Sequence, residues 1–124
     1  MENFVLIVDD DEGYRTITSM MLKRKGFESV AVSSVNKALE VIETHRPMLV
    51  VMDFMMPGIN GIEGCAMMRH HPITRTTPII LFSASNDPTL CDRTLDAGAN
   101  VFISKMELHR QLIPNVQQLI GVTL

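Results

Sequence analysis

Acidic residues crowd the end of the first apolar run: Phe4-Val5-Leu6-Ile7-Val8 is followed at once by Asp9-Asp10-Asp11-Glu12. A second apolar run, Met48 to Met52, ends in Asp53. A third, Pro78 to Phe82, ends in Ser83-Ala84-Ser85, and the last, Val101 to Ile103, ends in Ser104-Lys105. If these runs are strands of one parallel sheet, their carboxyl ends share the edge at which open α/β sheets bind ligands. Neighbouring strands lie ~4.8 Å apart. In a strand order 2-1-3-4-5 the first run is beside the Asp53 run, and Lys105 starts two spacings, about 10 Å, from Asp53. A lysine leaning inward covers most of that gap, so Asp9, Asp10, Asp53, Ser83 and Lys105 can converge on one pocket. Carboxylates so gathered repel each other, by roughly 1 to 4 kcal/mol per pair at about 4 Å. A hard divalent cation relieves the repulsion, and Mg²⁺ is held by one or two carboxylates together with waters and a phosphate. Mg²⁺ and Lys105 would supply the positive charge that a moving phosphoryl group needs. Asp53, between them, is placed to act as nucleophile and form an aspartyl phosphate, and Ser83 to donate a hydrogen bond to a phosphoryl oxygen.

Taken singly, each residue has a plainer role. An Asp after a strand usually forms a turn or caps a helix. Asp11 and Glu12 are expected to do that, favouring the start of the first helix through its dipole. The joint arrival of the others at one edge is what points to chemistry.

The elements that must position them read as a strict alternation. Phe4–Val8 is a continuous apolar run suited to a strand buried on both faces. Tyr14, Ile17, Met20 and Met21 repeat at helical spacing between Glu12 and Lys25, and Gly26 can close that helix in the left-handed conformation. Val30 and Val32 alternate with small or polar neighbours, as in a shorter, more exposed strand. Ser33 or Ser34 can cap a second helix bearing Val35, Ala38, Leu39 and Ile42. The Asp53 strand follows, then a loop marked by Pro57-Gly58 and Asn60-Gly61, and a third helix over 61–69. Beyond the Pro78–Phe82 strand, Asp87-Pro88 predicts a helix start with Asp at the N-cap and Pro at the first helical position, running to Ala97 and stopping at Gly98. Leu108, Leu112, Val116 and Ile120 predict a last helix, which Pro114 either kinks or makes start later. The βαβαβαβαβα order implies a parallel sheet with helices on both faces.

Length and composition agree with a single domain over residues 1–124. Hydrophobic residues make up 46% and charged residues 20%, a balance that excludes disorder. The net charge is -3 and no basic run exists, which disfavours direct nucleic-acid binding. No apolar stretch approaches the ~18 residues of a membrane span, and Met1-Glu2-Asn3 lacks the positive charge that opens a signal peptide. A cytoplasmic location is therefore expected. Cys65 and Cys91 stand in no metal-ligand spacing and are expected to be free thiols on or near helices. His70 and His71, adjacent on a helix, cannot share a ligand. The ten methionines, five of them between Met52 and Met68, are expected to fill core and loop gaps.

The chain resembles the receiver domain of two-component response regulators, from Phe4 to about Ile120. The motifs that carry the resemblance are Leu6-Ile7-Val8-Asp9-Asp10-Asp11-Glu12, Val51-Met52-Asp53-Phe54-Met55-Met56-Pro57-Gly58-Ile59-Asn60-Gly61, Pro78-Ile79-Ile80-Leu81-Phe82-Ser83-Ala84 and Gly98-Ala99-Asn100-Val101-Phe102-Ile103-Ser104-Lys105. The resemblance implies a flavodoxin-like, doubly wound five-stranded sheet in the order 2-1-3-4-5. It implies that Asp53 is the phosphoacceptor and Lys105 its phosphate-pairing lysine. Asp9 and Asp10 are then the acidic pair that holds Mg²⁺, together with Asp53 and the backbone carbonyl of Met55. Ser83 and Phe102 fall at the hydroxyl and aromatic switch positions. Met55 and Ser85 fall where side chains tune water access to the acyl phosphate. The implied donor is a sensor histidine kinase or a histidine phosphotransfer protein. The implied receiver of the signal is an output domain or protein, reached through the face of the fourth helix, last strand and last helix, which could also pair two copies of the chain. The implied role is a signalling phosphoacceptor that assists its own phosphorylation and dephosphorylation rather than an enzyme. Two departures stand out: Met106 replaces the proline common after the lysine, and Pro114 lies in the last helix.

Other classes fit less well. A flavin-binding module would need a Ser/Thr/Gly-rich loop after the first strand, and here that loop is acidic. A hydrolytic phosphatase would need a general acid such as Asp two residues after Asp53, where Met55 stands. A phosphorylation-independent interaction module with the same fold remains the alternative.

Overall fold

The computed structural model describes residues 3–85 and 87–121; residues 1–2, 86 and 122–124 lie outside that description. Five strands, β1 (Phe4–Val8), β2 (Glu28–Val32), β3 (Leu49–Asp53), β4 (Ile79–Ser83) and β5 (Val101–Ser104), alternate with five helices, α1 (Glu12–Arg24), α2 (Val35–Ile42), α3 (Gly61–His70), α4 (Leu90–Asp96) and α5 (Leu108–Ile120). All strand pairs are parallel and the order is β2-β1-β3-β4-β5.

The apolar runs become the central strands because every residue of β1, β3 and β4 is buried. Successive side chains point to opposite faces, so each strand feeds two cores. Leu6, Val8, Val50, Met52, Ile79 and Leu81 pack with Val35, Ala38 and Ile42 of α2 and Cys65 and Met68 of α3. Val5, Ile7, Leu49, Val51, Ile80 and Phe82 pack with Leu22 of α1 and Leu112 and Val116 of α5. Each such fully buried side chain contributes roughly 1.5–3 kcal/mol over an exposed one. The edge strand β2 is more exposed than the central strands, as expected, but at five residues it is no shorter than β1, β3 or β4, and Val30 is exposed rather than inward.

The helix starts follow local capping chemistry. Asp11 accepts the Tyr14 N–H and opens α1; Gly26, at φ +85°, closes the turn after it. Ser34 accepts the Lys37 N–H at the start of α2. Asn60 and Glu63 form a reciprocal capping box on α3. The expected start of the fourth helix at Asp87 and Pro88 is corrected: α4 begins at Leu90. Asp87 Oδ1 does accept the Thr89 N–H at 2.9 Å, but it takes the Thr89 hydroxyl as well, at 2.7 Å. The carboxylate thus closes a separate turn ahead of the helix. Pro114 does not delay α5, which starts at Leu108 and runs through the exposed proline to Gly121 at φ +72°. Met52, Met56 and Met68 fill buried space, whereas Met55 and Met67 are exposed, so gap-filling accounts for only part of the methionine cluster. Both cysteines are free, Cys65 buried and Cys91 exposed. His70 turns its Nδ1 to the Ala66 carbonyl, while the His71 Nδ1 receives the Ile73 N–H. The two rings therefore serve different partners.

Candidate functional site

The register of the sheet sets the site. Val8 pairs with Met52, so Asp9 follows β1 level with Asp53 at the end of β3. Asp53 in turn pairs with Phe82, and Ser83 with Ser104, one residue before Lys105. Lys105 opens a 3-10 turn, Lys105–Glu107, that runs directly into α5. No peptide bond among the described residues is cis, the one after Lys105 included.

Lys105 Nζ lies 3.2 Å from Asp53 Oδ2 and 3.3 Å from Asp9 Oδ2. The contact to Asp53 is an aligned hydrogen bond. The contact to Asp9 is a close ion pair without hydrogen-bond alignment, which leaves the buried Asp9 Oδ2 without a directed partner. Asp9 Oδ1 accepts the Asp11 N–H at 3.0 Å, and the Arg15 guanidinium donates to the Asp9 carbonyl at 2.9 Å. Asp53 Oδ1 accepts the Met55 N–H at 3.2 Å, which draws the backbone of residue 55 onto the carboxylate. Asp9, Asp10 and Asp53 each bring a carboxylate oxygen within 4.8 Å of the others; Asp9 and Asp53 are buried and Asp10 is exposed. Ser83 is buried on the neighbouring strand, and its Oγ accepts the Ser85 N–H at 3.0 Å. Phe102 is half-buried against the core under α2 and α3.

Burial, and then the Asp9 carboxylate, push the Asp53 carboxyl from 3.8 up to about 6, against the pull of Lys105 and the Met55 N–H. Burial works against the Lys105 ammonium, but the facing Asp53 and Asp9 carboxylates outweigh it and hold its pKa above the ordinary lysine value. A raised acid and a raised base in contact describe a pocket with a surplus of negative charge that one lysine only partly offsets. The donor set suits a hard divalent cation: carboxylate oxygens only, one of them buried without a directed hydrogen bond, and one from an exposed residue.

The loop between β3 and α3 is held close to Asp53 by Gly61. A Cβ there would collide with the Asp53 carbonyl oxygen and lie 2.7 Å from Leu81 Cδ2 and 2.8 Å from the Phe54 Cα. The Gly61 N–H donates to the Phe54 carbonyl at 2.9 Å. An apolar groove between β2 and α2, lined by Phe4, Val30, Val32 and Val41, lies away from this rim and contains none of its carboxylates.

One feature of the site has no signal in the sequence. The Tyr14 ring lies beneath the Lys105 ammonium, 3.9 Å from centroid to Nζ. Tyr14 reads as one more apolar helix position, although its place two residues after the acidic run, in the first turn of α1, sets it on the same rim. Away from the site, at the opposite edge of the sheet, Arg69 of α3 donates to the Gly98, Thr74 and Thr77 carbonyls and to Asn100 Oδ1, tying the segment before β4 to the segment before β5. Nothing in its spacing signals that role.

Comparison with known proteins agrees with this geometry. The sequence model of the response regulator receiver domain matches residues 5–117. The chain is 30% identical over 94% of its length to the DNA-binding response regulator MtrA of Mycobacterium tuberculosis, covering 50% of that protein. The chain thus spans about half the length of the curated relatives it matches. Among solved structures, the signal receiver domain of a signal transduction histidine kinase from Syntrophus aciditrophicus superposes with a TM-score of 0.88 at 28% identity, covering 99% of this chain and 98% of that one. The receiver domain of the sensor histidine kinase PA1611 from Pseudomonas aeruginosa, which has a magnesium ion coordinated in its active-site cleft, gives a TM-score of 0.87 at 25% identity, with coverage of 98% and 99%. With the strand order, the acidic rim and the family match in agreement, the chain belongs to the response regulator receiver domains of two-component signalling.

Proposed function

We propose that Asp53 accepts a phosphoryl group from a phosphohistidine of a sensor histidine kinase or a histidine phosphotransfer protein. The observation that carries this reading is the ammonium of Lys105 held 3.2 Å from Asp53 Oδ2 inside a cluster of three carboxylates. An Asp53 oxygen attacks phosphorus, the P–O bond forms as the P–N bond breaks, and the electron pair of that bond leaves on the imidazole. Lys105 stays beside the reacting oxygens and offsets the charge that moves onto them. Asp9, Asp10, Asp53 and the Met55 carbonyl would hold Mg²⁺, which when bound adds positive charge against the phosphoryl oxygens. Since these groups come from the chain itself, the domain assists its own phosphorylation and hydrolysis, and small acyl phosphates also serve as donors.

Ser83 is the hydroxyl that reaches for a phosphoryl oxygen on Asp53, giving up the Ser85 N–H it now accepts. Phe102, half-buried one strand away, then repacks, and the surface of α4, β5 and α5 changes its partners. Phosphate biases this equilibrium only through its different contacts in the two states. An output domain or protein reads that surface, and a second copy of the chain is a further partner for it. No helix among the described residues is long and apolar enough to cross a membrane, which fits a cytoplasmic signalling role.

The test is phosphoryl uptake from an acyl phosphate donor, with Mg²⁺ and with chelator. Uptake by the wild type with Mg²⁺ alone, lost in Asp53→Asn, supports the reading. Equal uptake by Asp53→Asn contradicts it.

A further inference from the structure

Lys105 does not face carboxylates alone. Its Nζ lies over the Tyr14 ring, 3.9 Å from the centroid, and 5.2 Å from the centroid of Phe82. Its side chain retains only 8% exposure. Asp9 reaches it from the end of β1, and Asp53 and Phe82 from β3 and β4. Tyr14 reaches it from the first turn of α1, a turn that Asp11 fixes by accepting the Tyr14 N–H at 3.0 Å. An ammonium withdrawn from water needs negative potential on the sides it turns inward. The face of an aromatic ring supplies it. A further carboxylate would do the same, but it would add to the repulsion between Asp9, Asp10 and Asp53 and compete for a cation.

We propose that Tyr14 is a positioning residue for phosphoryl transfer, its ring face holding the Lys105 ammonium against Asp53. The proposal rests on the reading of Asp53 as phosphoacceptor. Without the ring, the ammonium divides its time between the pocket and water, and the fraction of molecules with the cation at the reacting oxygens falls. Leucine fills similar apolar space but carries no ring quadrupole. Phenylalanine keeps the ring face and loses only the hydroxyl.

The experiment compares wild type, Tyr14→Phe and Tyr14→Leu for Mg²⁺-dependent phosphorylation by an acyl phosphate, with Mg²⁺ affinity measured separately. In Tyr14→Leu the maximal rate is expected to fall about tenfold, in keeping with a desolvated cation–ring contact. Tyr14→Phe is expected within about twofold of wild type, and Mg²⁺ affinity undiminished in all three. The proton resonances of the Lys105 ε-methylene are expected upfield in wild type and Tyr14→Phe, through the ring current, and at ordinary positions in Tyr14→Leu. A Tyr14→Leu rate equal to wild type overturns the proposal, as does a Tyr14→Phe rate as low as that of Tyr14→Leu. If Tyr14→Leu fails to fold, the wild-type and Tyr14→Phe spectra decide, and unshifted Lys105 resonances overturn the proposal. A wild type that takes up no phosphoryl group overturns the phosphoacceptor reading and this proposal with it. A labelled wild type with an unaffected Tyr14→Leu overturns only the proposal.

Discussion

Lys105 Nζ stands 3.2 Å from Asp53 Oδ2 although Asp53 ends β3 and Lys105 follows β5, with β4 between the two strands. That single ammonium also meets Asp9 Oδ2 at 3.3 Å, so it is shared between two buried carboxylates. Replacing it with the uncharged Lys105→Met removes the influence that holds the Asp53 carboxyl down. The carboxyl is then expected to titrate above the value of about 6 that it has with the lysine in place. Phosphorylation at saturating Mg²⁺ is expected to slow on the order of 100-fold, as when a preorganised charge-stabilising donor is lost. Mg²⁺ affinity is expected to hold or rise, because the cation no longer competes with an ammonium. Carboxyl titration by NMR, rate and metal titration together check this; a loss of metal binding would contradict it.

The same burial gives the metal-free protein a pH signature. Asp53 binds its proton more tightly folded, with a pKa of about 6, than unfolded, near 3.8. Between those values the folded state holds more protons, so stability falls as pH rises through that window. The contribution is fully present below pH ~4 and lost above pH ~6, and amounts to about 3 kcal/mol at most. Asp53→Asn cannot titrate and is expected to lack this loss. Urea unfolding of both proteins in chelator, from pH 4.5 to 7, checks it: the mutant gains relative stability as pH rises.

Asp10 is the exposed member of the carboxylate cluster, so its removal costs little in the fold. Asp10→Ala is expected to weaken Mg²⁺ binding by roughly tenfold or more. It also relieves repulsion, so metal-free stability is expected to hold or rise slightly. Calorimetric Mg²⁺ titration and urea unfolding read the two effects separately. Unchanged Mg²⁺ affinity would remove Asp10 from the metal site.

Gly61 has no room for a methyl group, because its neighbours are the Asp53 carbonyl, the Phe54 Cα and Leu81. Two of these are backbone and cannot step aside without moving the loop that follows Asp53. Gly61→Ala is expected to destabilise the fold by about 3 kcal/mol, as overpacking does, and to slow phosphorylation through the displaced Asp53. Gly26→Ala, with open space around its Cβ and only a strained φ to oppose it, is expected to cost less and to leave phosphorylation intact. Chemical denaturation and uptake rates of the two variants check the contrast.

The strands were legible because each central one is buried on both faces and so reads as an unbroken apolar run ending in a polar residue. That same feature sets Asp9, Asp53 and Ser83 at one edge, and Lys105 joins them at the end of the half-buried β5. The start of α4 is ambiguous in the sequence because an Asp can cap a helix or close a turn with the same chemistry; in the structure Asp87 accepts the Thr89 N–H and hydroxyl, and α4 begins at Leu90. Tyr14 reads only as an apolar helix position, since periodicity records that a ring is apolar and not that its face is negative. Arg69 was invisible for a different reason: its partners are mostly backbone carbonyls, which have no sequence identity. Met55 and Met67 follow a third pattern, being exposed methionines among the buried Met52, Met56 and Met68.

The central claim is that the phosphoryl group ends on the carboxylate of Asp53. The most direct measurement is the mass of the intact protein after incubation with an acyl phosphate and Mg²⁺, followed by localisation of the added group in its peptides. The account predicts a gain of a single phosphoryl group, found on the peptide carrying Asp53 and absent when Mg²⁺ is chelated. A phosphoryl group found on Asp9, Asp10, Ser83 or a histidine, with Asp53 unmodified, would contradict it.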